Sequence, residues 1–173
     1  DDKLVGMQES LDEAYLEYIK KEFLAKLAYY NKIAGTLEKR DALLRETLSR
    51  EEMDRYYNRA FVNFDIVQDF LPLNAENEYD SSFIKYLKAE YLEGERMRVL
   101  LEMYENDYVK NPVLEKTIYL SDRDPEGTKI EWRNEARPCI LLDFFQAEED
   151  CYDTFDIIYE FYVNLVAYNR LEE

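Results

Sequence analysis

The sequence predicts an α+β fold: a long N-terminal helix followed by a four-stranded antiparallel sheet packed with helices. Three observations lead there. The first 71 residues contain no proline and only two glycines, Gly6 and Gly35, whereas Pro72, Pro112, Pro125 and Pro138 all come later. That asymmetry separates a helical front from a turn-punctuated back. The apolar period changes from 3.6 to 2 after about residue 85, and returns to 3.6 beyond residue 140. At 173 residues the chain suits one domain with a real core, divided into a long helix over residues 1–50 and an α/β body over 51–173.

The front helix carries Leu16, Ile19, Phe23, Leu27, Tyr30, Ala34, Leu37, Leu44 and Leu48 at steps of mostly three and four. These share one helical face, interrupted by Gly35 and Asp41. Ser10 followed by Glu13 forms a capping-box pattern near the start. An unbroken helix of about 40 residues would be roughly 60 Å long, more than one small core covers. The stripe Leu16, Ile19, Phe23, Leu27, Tyr30, Leu37, Leu44 and Leu48 is therefore assigned to the interface of a two-fold homodimer. A helical hairpin folded back near Gly35 is the alternative.

Ser49-Arg-Glu-Glu52 is a second capping box and predicts a helix running towards Pro72. Residues 74–80 read as an acidic loop, and Ser81 to Lys85 as a short helical stretch. Four strands come next. Leu87, Ala89 and Tyr91 alternate with polar residues, as do Met97 to Met103 across Gly94; then come Val113 to Leu120 and Thr128 to Trp132. Apolar residues at 140–145, and Phe155, Ile158, Tyr159, Tyr162, Leu165 and Val166, return the chain to helix.

Charge and chemistry narrow the function. Thirty-nine acidic against 22 basic residues give −17, which opposes direct binding to nucleic-acid phosphates or anionic lipid. No apolar run approaches the roughly 20 residues of a membrane span. Asp1 to Ser10 lacks the pattern of a signal peptide. Cys139 and Cys151 form no disulfide framework, which favours an intracellular protein. Histidine is absent, so histidine-based triads and zinc sites are excluded. No phosphate-binding glycine loop occurs. No cofactor and no enzymatic activity are expected. Asp122, Asp124, Glu126 and Gly127 imitate half a calcium loop, but position 12 is Arg133 and Pro125 lies inside. The stretch reads as a hairpin turn, not a metal site.

The acids cluster. Glu76, Glu78 and Asp80 lie in one segment without Lys or Arg; Glu148, Glu149, Asp150, Asp153 and Asp156 lie in another, with Tyr79, Tyr152 and Tyr159 interleaved. Such runs are either solvated faces or surfaces for a basic partner.

Four blocks, in order, resemble the nucleosome assembly protein / SET family of histone chaperones. "EKRDALL" (Glu38 to Leu44) is similar to the close of that family's long dimerisation helix, and "YYNRAFVNFDIVQDFL" (Tyr56 to Leu71) to the aromatic helix after it. The pattern Glu105, Asn106, Tyr108, Asn111, Val113, Leu114, Lys116 is similar to the central strands. Thr128 to Trp132 resembles the family's final strand, which precedes "ILLDFF" and the acidic terminal helix. The family's Asn-Pro-Tyr-Phe signature reads Asn-Asp-Tyr-Val at Asn106 to Val109, and its Ile-Pro-x-Phe-Trp segment is replaced by "RETLSREEMDRYY". The resemblance implies a homodimeric histone chaperone that binds core histones during nucleosome assembly, in the nucleus with shuttling to the cytoplasm. Its implied histone-binding residues are Glu76, Glu78, Asp80, Glu148, Glu149, Asp150, Asp153 and Asp156. An acidic DNA mimic that inhibits a nucleic-acid enzyme is the competing reading.

Overall fold

The computed structural model describes residues 1–133, 139–146 and 148–170; the last three residues of the 51–173 body lie outside the described residues. Helix α1 (Asp2–Thr47) is continuous for 46 residues, about 70 Å. It does not fold back at Gly35. It also begins well before the predicted Ser10 cap, because residues 2–9 contain no helix breaker beyond the tolerated Gly6. Ser10 donates instead to the Gly6 carbonyl, at 3.0 Å.

The second capping box forms as expected. Ser49 Oγ accepts from the Glu52 amide at 3.3 Å, and the Glu52 carboxylate accepts from the Ser49 amide at 2.8 Å. It starts α2 (Arg50–Phe64). Phe61 of α2 stacks on Phe161 with centroids 4.0 Å apart. Helix α2 stops short of Pro72, at Asp65 in the left-handed region (φ 60°). A short irregular α3 (Val67–Phe70) comes next, with Asp69 again at positive φ. The helical stretch expected at Ser81 to Lys85 is only a turn, since Ile84 already belongs to the sheet.

Strands β1 (Ile84–Leu92), β2 (Arg96–Met103), β3 (Val113–Tyr119) and β4 (Glu126–Gly127) form an antiparallel sheet in sequence order. Register brings Leu87, Leu101 and Leu114 side by side, and likewise Tyr91, Met97 and Ile118. These apolar rows are buried; α4 (Ile140–Gln146) and α5 (Tyr152–Val163) close over them, while α6 (Leu165–Arg170) packs on α2. The fourth strand is displaced from its predicted place. Glu126 and Gly127 pair with Thr117 and Lys116, and Gly127 is needed there because a Cβ would collide with the Glu115 carbonyl. Thr128 still donates to the Glu115 carbonyl, and residues 129–133 run instead beside 108–111. Lys110 N donates to Glu131 O at 2.7 Å, Arg133 N to Tyr108 O at 2.9 Å, and Val109 bridges Trp132. The acidic turn is thus the hairpin the sequence suggested, and Glu126 accepts hydrogen bonds from Tyr119 and Arg123.

The long helix is not only a projecting arm. Its second half lies along β1 and α5, so the core crosses the boundary drawn at residue 50. Phe23, Leu27, Tyr30 and Leu37 are 3–6 % exposed within the single chain, and Leu44 and Leu48 pack on the same core. The predicted dimer stripe thus coincides, for these residues, with a face that packs on the chain's own sheet and α5. Of the assigned residues, Ile19 is half-buried and Leu16 is 58 % exposed. A second apolar face remains uncovered, roughly 120° around the helix from the first. Leu4, Leu11 and Tyr18 recur along it at steps of seven, with Met7 between and Tyr29 and Leu43 further on, all exposed.

Candidate functional site

The densest acidic segment is built on the start of α5. Glu148, Glu149 and Asp150 precede it, and Asp153 and Asp156 lie in its first turns; all five are exposed. Negative charge is favourable at a helix N-terminus, whose unpaired N–H groups carry partial positive charge. The turn is fastened from beneath. Lys116, buried on β3, donates from Nζ to the Phe144 carbonyl at 2.7 Å and to the Glu149 carbonyl at 3.1 Å. The Tyr152 hydroxyl donates to the Tyr119 carbonyl. A buried ammonium is costly unless fully bonded, and burial lowers the Lys116 pKa. These main-chain carbonyls answer part of that demand, and Glu148, Glu149 and Asp150 remain exposed above them.

Asp156 differs from its neighbours. It borders a groove of about 280 Å³ between α1, the β1–β2 end of the sheet and α5, lined among others by Leu16, Ile19, Tyr91, Met97 and Tyr152. Although Asp156 is exposed, the groove wall takes water from one side of its carboxyl and raises its pKa; Lys26 opposes the rise while Asp153 and Glu22 add to it. Lys26 is itself paired with Glu22 at 2.9 Å.

The second acidic segment is organised by local turns. Asn74 Oδ1 accepts from the amides of Glu76 and Glu78 at 3.0 and 2.9 Å, leaving both carboxylates exposed. Asp80 is half-buried and engaged within the fold. Its carboxylate accepts from the Ser82 amide at 2.8 Å and from the Tyr108 hydroxyl at 2.7 Å. Burial first, then that bond, pushes the Tyr108 pKa up.

The two acidic segments are not brought together. Asp80 lies just before the start of β1, whereas Tyr152 and Asp156 adjoin Tyr91 and Met97 at its far end. Nine strand residues, roughly 25–30 Å, separate them. Among the described residues, no group of three or more His, Cys, Asp or Glu is placed to hold a metal, and no helix is long and apolar enough to cross a membrane.

Sequence reading missed the group that ties α1 to the body. Asp41, 7 % exposed, accepts from the hydroxyls of Tyr86 and Tyr162 at 2.6 and 2.7 Å and from Arg40 at 2.8 Å. Arg40 also donates to the Tyr162 carbonyl at 2.7 Å. Burial, then the bond to Asp41, pushes both tyrosine pKa values far up. The signal was an acid inside an apolar stripe, which must find donors or stay out of the core.

Comparison with known proteins places this arrangement. No family model matches the sequence. The fold matches the crystal structure of Ccp1 with TM-score 0.60 and 17 % identity, over 98 % of each chain. It matches nucleosome assembly protein S of Plasmodium falciparum with TM-score 0.55 and 13 % identity, over 97 % of this chain and 98 % of that one. A further P. falciparum nucleosome assembly protein matches at 0.55 and 19 %, over 97 % and 93 %. The long helix, four-stranded antiparallel sheet and covering helices are those of the nucleosome assembly protein fold. The chain belongs to the same family as an uncharacterised protein of Encephalitozoon cuniculi (strain GB-M1), with 33 % identity over 162 residues, covering 94 % of this chain and 88 % of that protein.

Proposed function

We infer that this protein is a histone chaperone, acting by binding and not by catalysis. The observation that carries the reading is a nucleosome assembly protein fold with a solvated acidic turn clamped to β3, in a chain of net charge −17. Glu148, Glu149, Asp150, Asp153 and Asp156 are exposed around the start of α5, so they can take the Lys and Arg side chains of core histones. In doing so they compete with DNA phosphate, which shields histones from non-specific contact and releases them to DNA during nucleosome assembly. Glu76 and Glu78 form a second, distant contact point, and Asp80 supports it. The protein acts as a homodimer in the nucleus, with a second copy covering Leu4, Met7, Leu11 and Tyr18 at heptad-like spacing. The test is a titration of the full chain with purified core histones at moderate salt. Saturable, stoichiometric binding is expected; absence of binding would overturn the reading.

A further inference from the structure

The corner between α1 and α2 gathers positive charge in a strongly negative chain. Arg45, Arg50 and Lys85 surround a cleft of about 190 Å³ with Leu48, Met53 and Tyr104. The guanidinium carbon of Arg50 lies 3.9 Å from the centre of the Tyr104 ring, and Lys85 Nζ lies 5.9 Å from the same centre. Arg45 is stacked 3.7 Å from the Tyr86 ring. Among the described residues neither Arg50 nor Lys85 forms an ion pair, and Arg45 reaches only Glu102, at 3.8 Å. What distinguishes these cations in a chain of 39 acids and 22 bases is that two of them share one tyrosine ring and all three line one cleft.

Stacking fixes what these groups present. A guanidinium lying on an aromatic ring uses its face and leaves its edge N–H donors for in-plane, bidentate contacts. The positive end of the α2 dipole adds to the field, although Glu52 already occupies the Ser49 amide. Two stacked guanidinium groups and an ammonium around a cleft suit a compact dianion with several acceptor oxygens. Compactness matters. An extended polyanion would leave the cleft across a surface of net negative charge, whereas one phosphoryl group stays within about a Debye length, roughly 8 Å, of all three cations.

We propose that the Arg45–Arg50–Lys85 cleft binds a phosphorylated serine or threonine of a partner peptide, with an adjacent apolar side chain resting on Leu48 and Met53. The assignment is independent of the chaperone reading. The probe is a fluorescent six-residue Gly/Ser peptide bearing one phosphoserine followed by leucine, titrated against the full chain by fluorescence polarisation. It is expected to bind about tenfold or more tightly than the unphosphorylated and glutamate-substituted peptides. Arg50→Gln with Lys85→Gln should weaken it by about tenfold or more, since charge-assisted contacts are lost. Tyr104→Leu should weaken it too, because the ring holds both cations. Circular dichroism should stay unchanged for these variants. Equal binding of phosphorylated and unphosphorylated peptide would overturn the proposal, as would full binding by the double variant. Tighter binding of a five-nucleotide single-stranded RNA would assign the cleft to nucleic acid instead.

Discussion

Replacing Asp41 with alanine should loosen α1 from the body. The wild-type carboxylate serves Tyr86, Tyr162 and Arg40 at 2.6–2.8 Å while only 7 % exposed. Removing it leaves two hydroxyls without their acceptor and Arg40 without its counter-charge. Breaking a buried ion pair by deleting one partner costs about 3–5 kcal/mol, and the stranded hydroxyls bring the estimate towards the upper end. Part of this is recovered if Arg40 turns to water while keeping its bonds to the main chain of α5. Urea unfolding at fixed protein concentration is the assay, since dimerisation would otherwise shift the midpoint. With a slope of about 2 kcal/mol/M, a loss of roughly 4 kcal/mol moves the midpoint down by about 2 M. Asp41→Asn keeps one acceptor oxygen and should lose less. A midpoint for Asp41→Ala within about 0.5 M of wild type, or about 1 kcal/mol, would refute the claim that this carboxylate anchors the helix.

Alkaline titration offers a second check. Burial raises the pKa of Tyr57 to about 12 from an ordinary value of 10.0, and those of Tyr86 and Tyr162 rise as well. A raised tyrosine contributes stability that is complete below about pH 10 and is lost as pH climbs through the folded-state value, because the unfolded chain ionises first. Chemical denaturation between about pH 9 and 12 should therefore show stability falling from about pH 10, with roughly 2–3 kcal/mol arising from Tyr57 alone; flat stability across that range would contradict the buried placement. The two faces of α1 should respond differently to charge. Leu4→Asp with Leu11→Asp is expected to give a folded monomer by light scattering, whereas Leu27→Asp should unfold the body because Leu27 is 6 % exposed in the single chain. Folded Leu27→Asp protein that is simply monomeric would restore the stripe through Leu27 and Leu37 as the seam.

Several local signals were legible, although the equally local box at Ser10 and Glu13 lies inside α1 and caps nothing. The capping box at Ser49 and Glu52, the change of apolar period near β1, and the turn before Gly127 all appear where the sequence puts them, because each is decided within four or so residues. Features that depend on long-range packing were not. The stripe through Leu27 and Leu37 had the right period, but period alone does not say whether a face meets its own sheet or a second copy. The run at Thr128 to Trp132 alternates like a strand, yet the ladder to β3 is taken by Glu126 and Gly127, and residues 129–133 find partners at 108–111 instead. Of the acidic residues, the sequence separated two segments but could not show that Asp80 faces Tyr108 inward while Glu76 and Glu78 face water. Asp41 was visible only as a flaw in a pattern; its three donors come from residues adjacent in the chain, 45 away and 121 away.

The most direct measurement compares histone binding by wild type and by the variant Glu148→Gln, Glu149→Gln, Asp150→Asn, Asp153→Asn and Asp156→Asn across a salt series. All five carboxylates are exposed and the clamp from Lys116 uses main-chain oxygens, so the variant should fold normally. Exposed pairs are individually weak but act together, so the variant should bind core histones about tenfold or more weakly at low salt. Wild-type affinity should fall steeply as salt rises, and the variant should show a shallower slope because fewer charges remain to screen. A folded variant that binds as tightly as wild type at every salt concentration would contradict the assignment of this acidic turn as the histone surface.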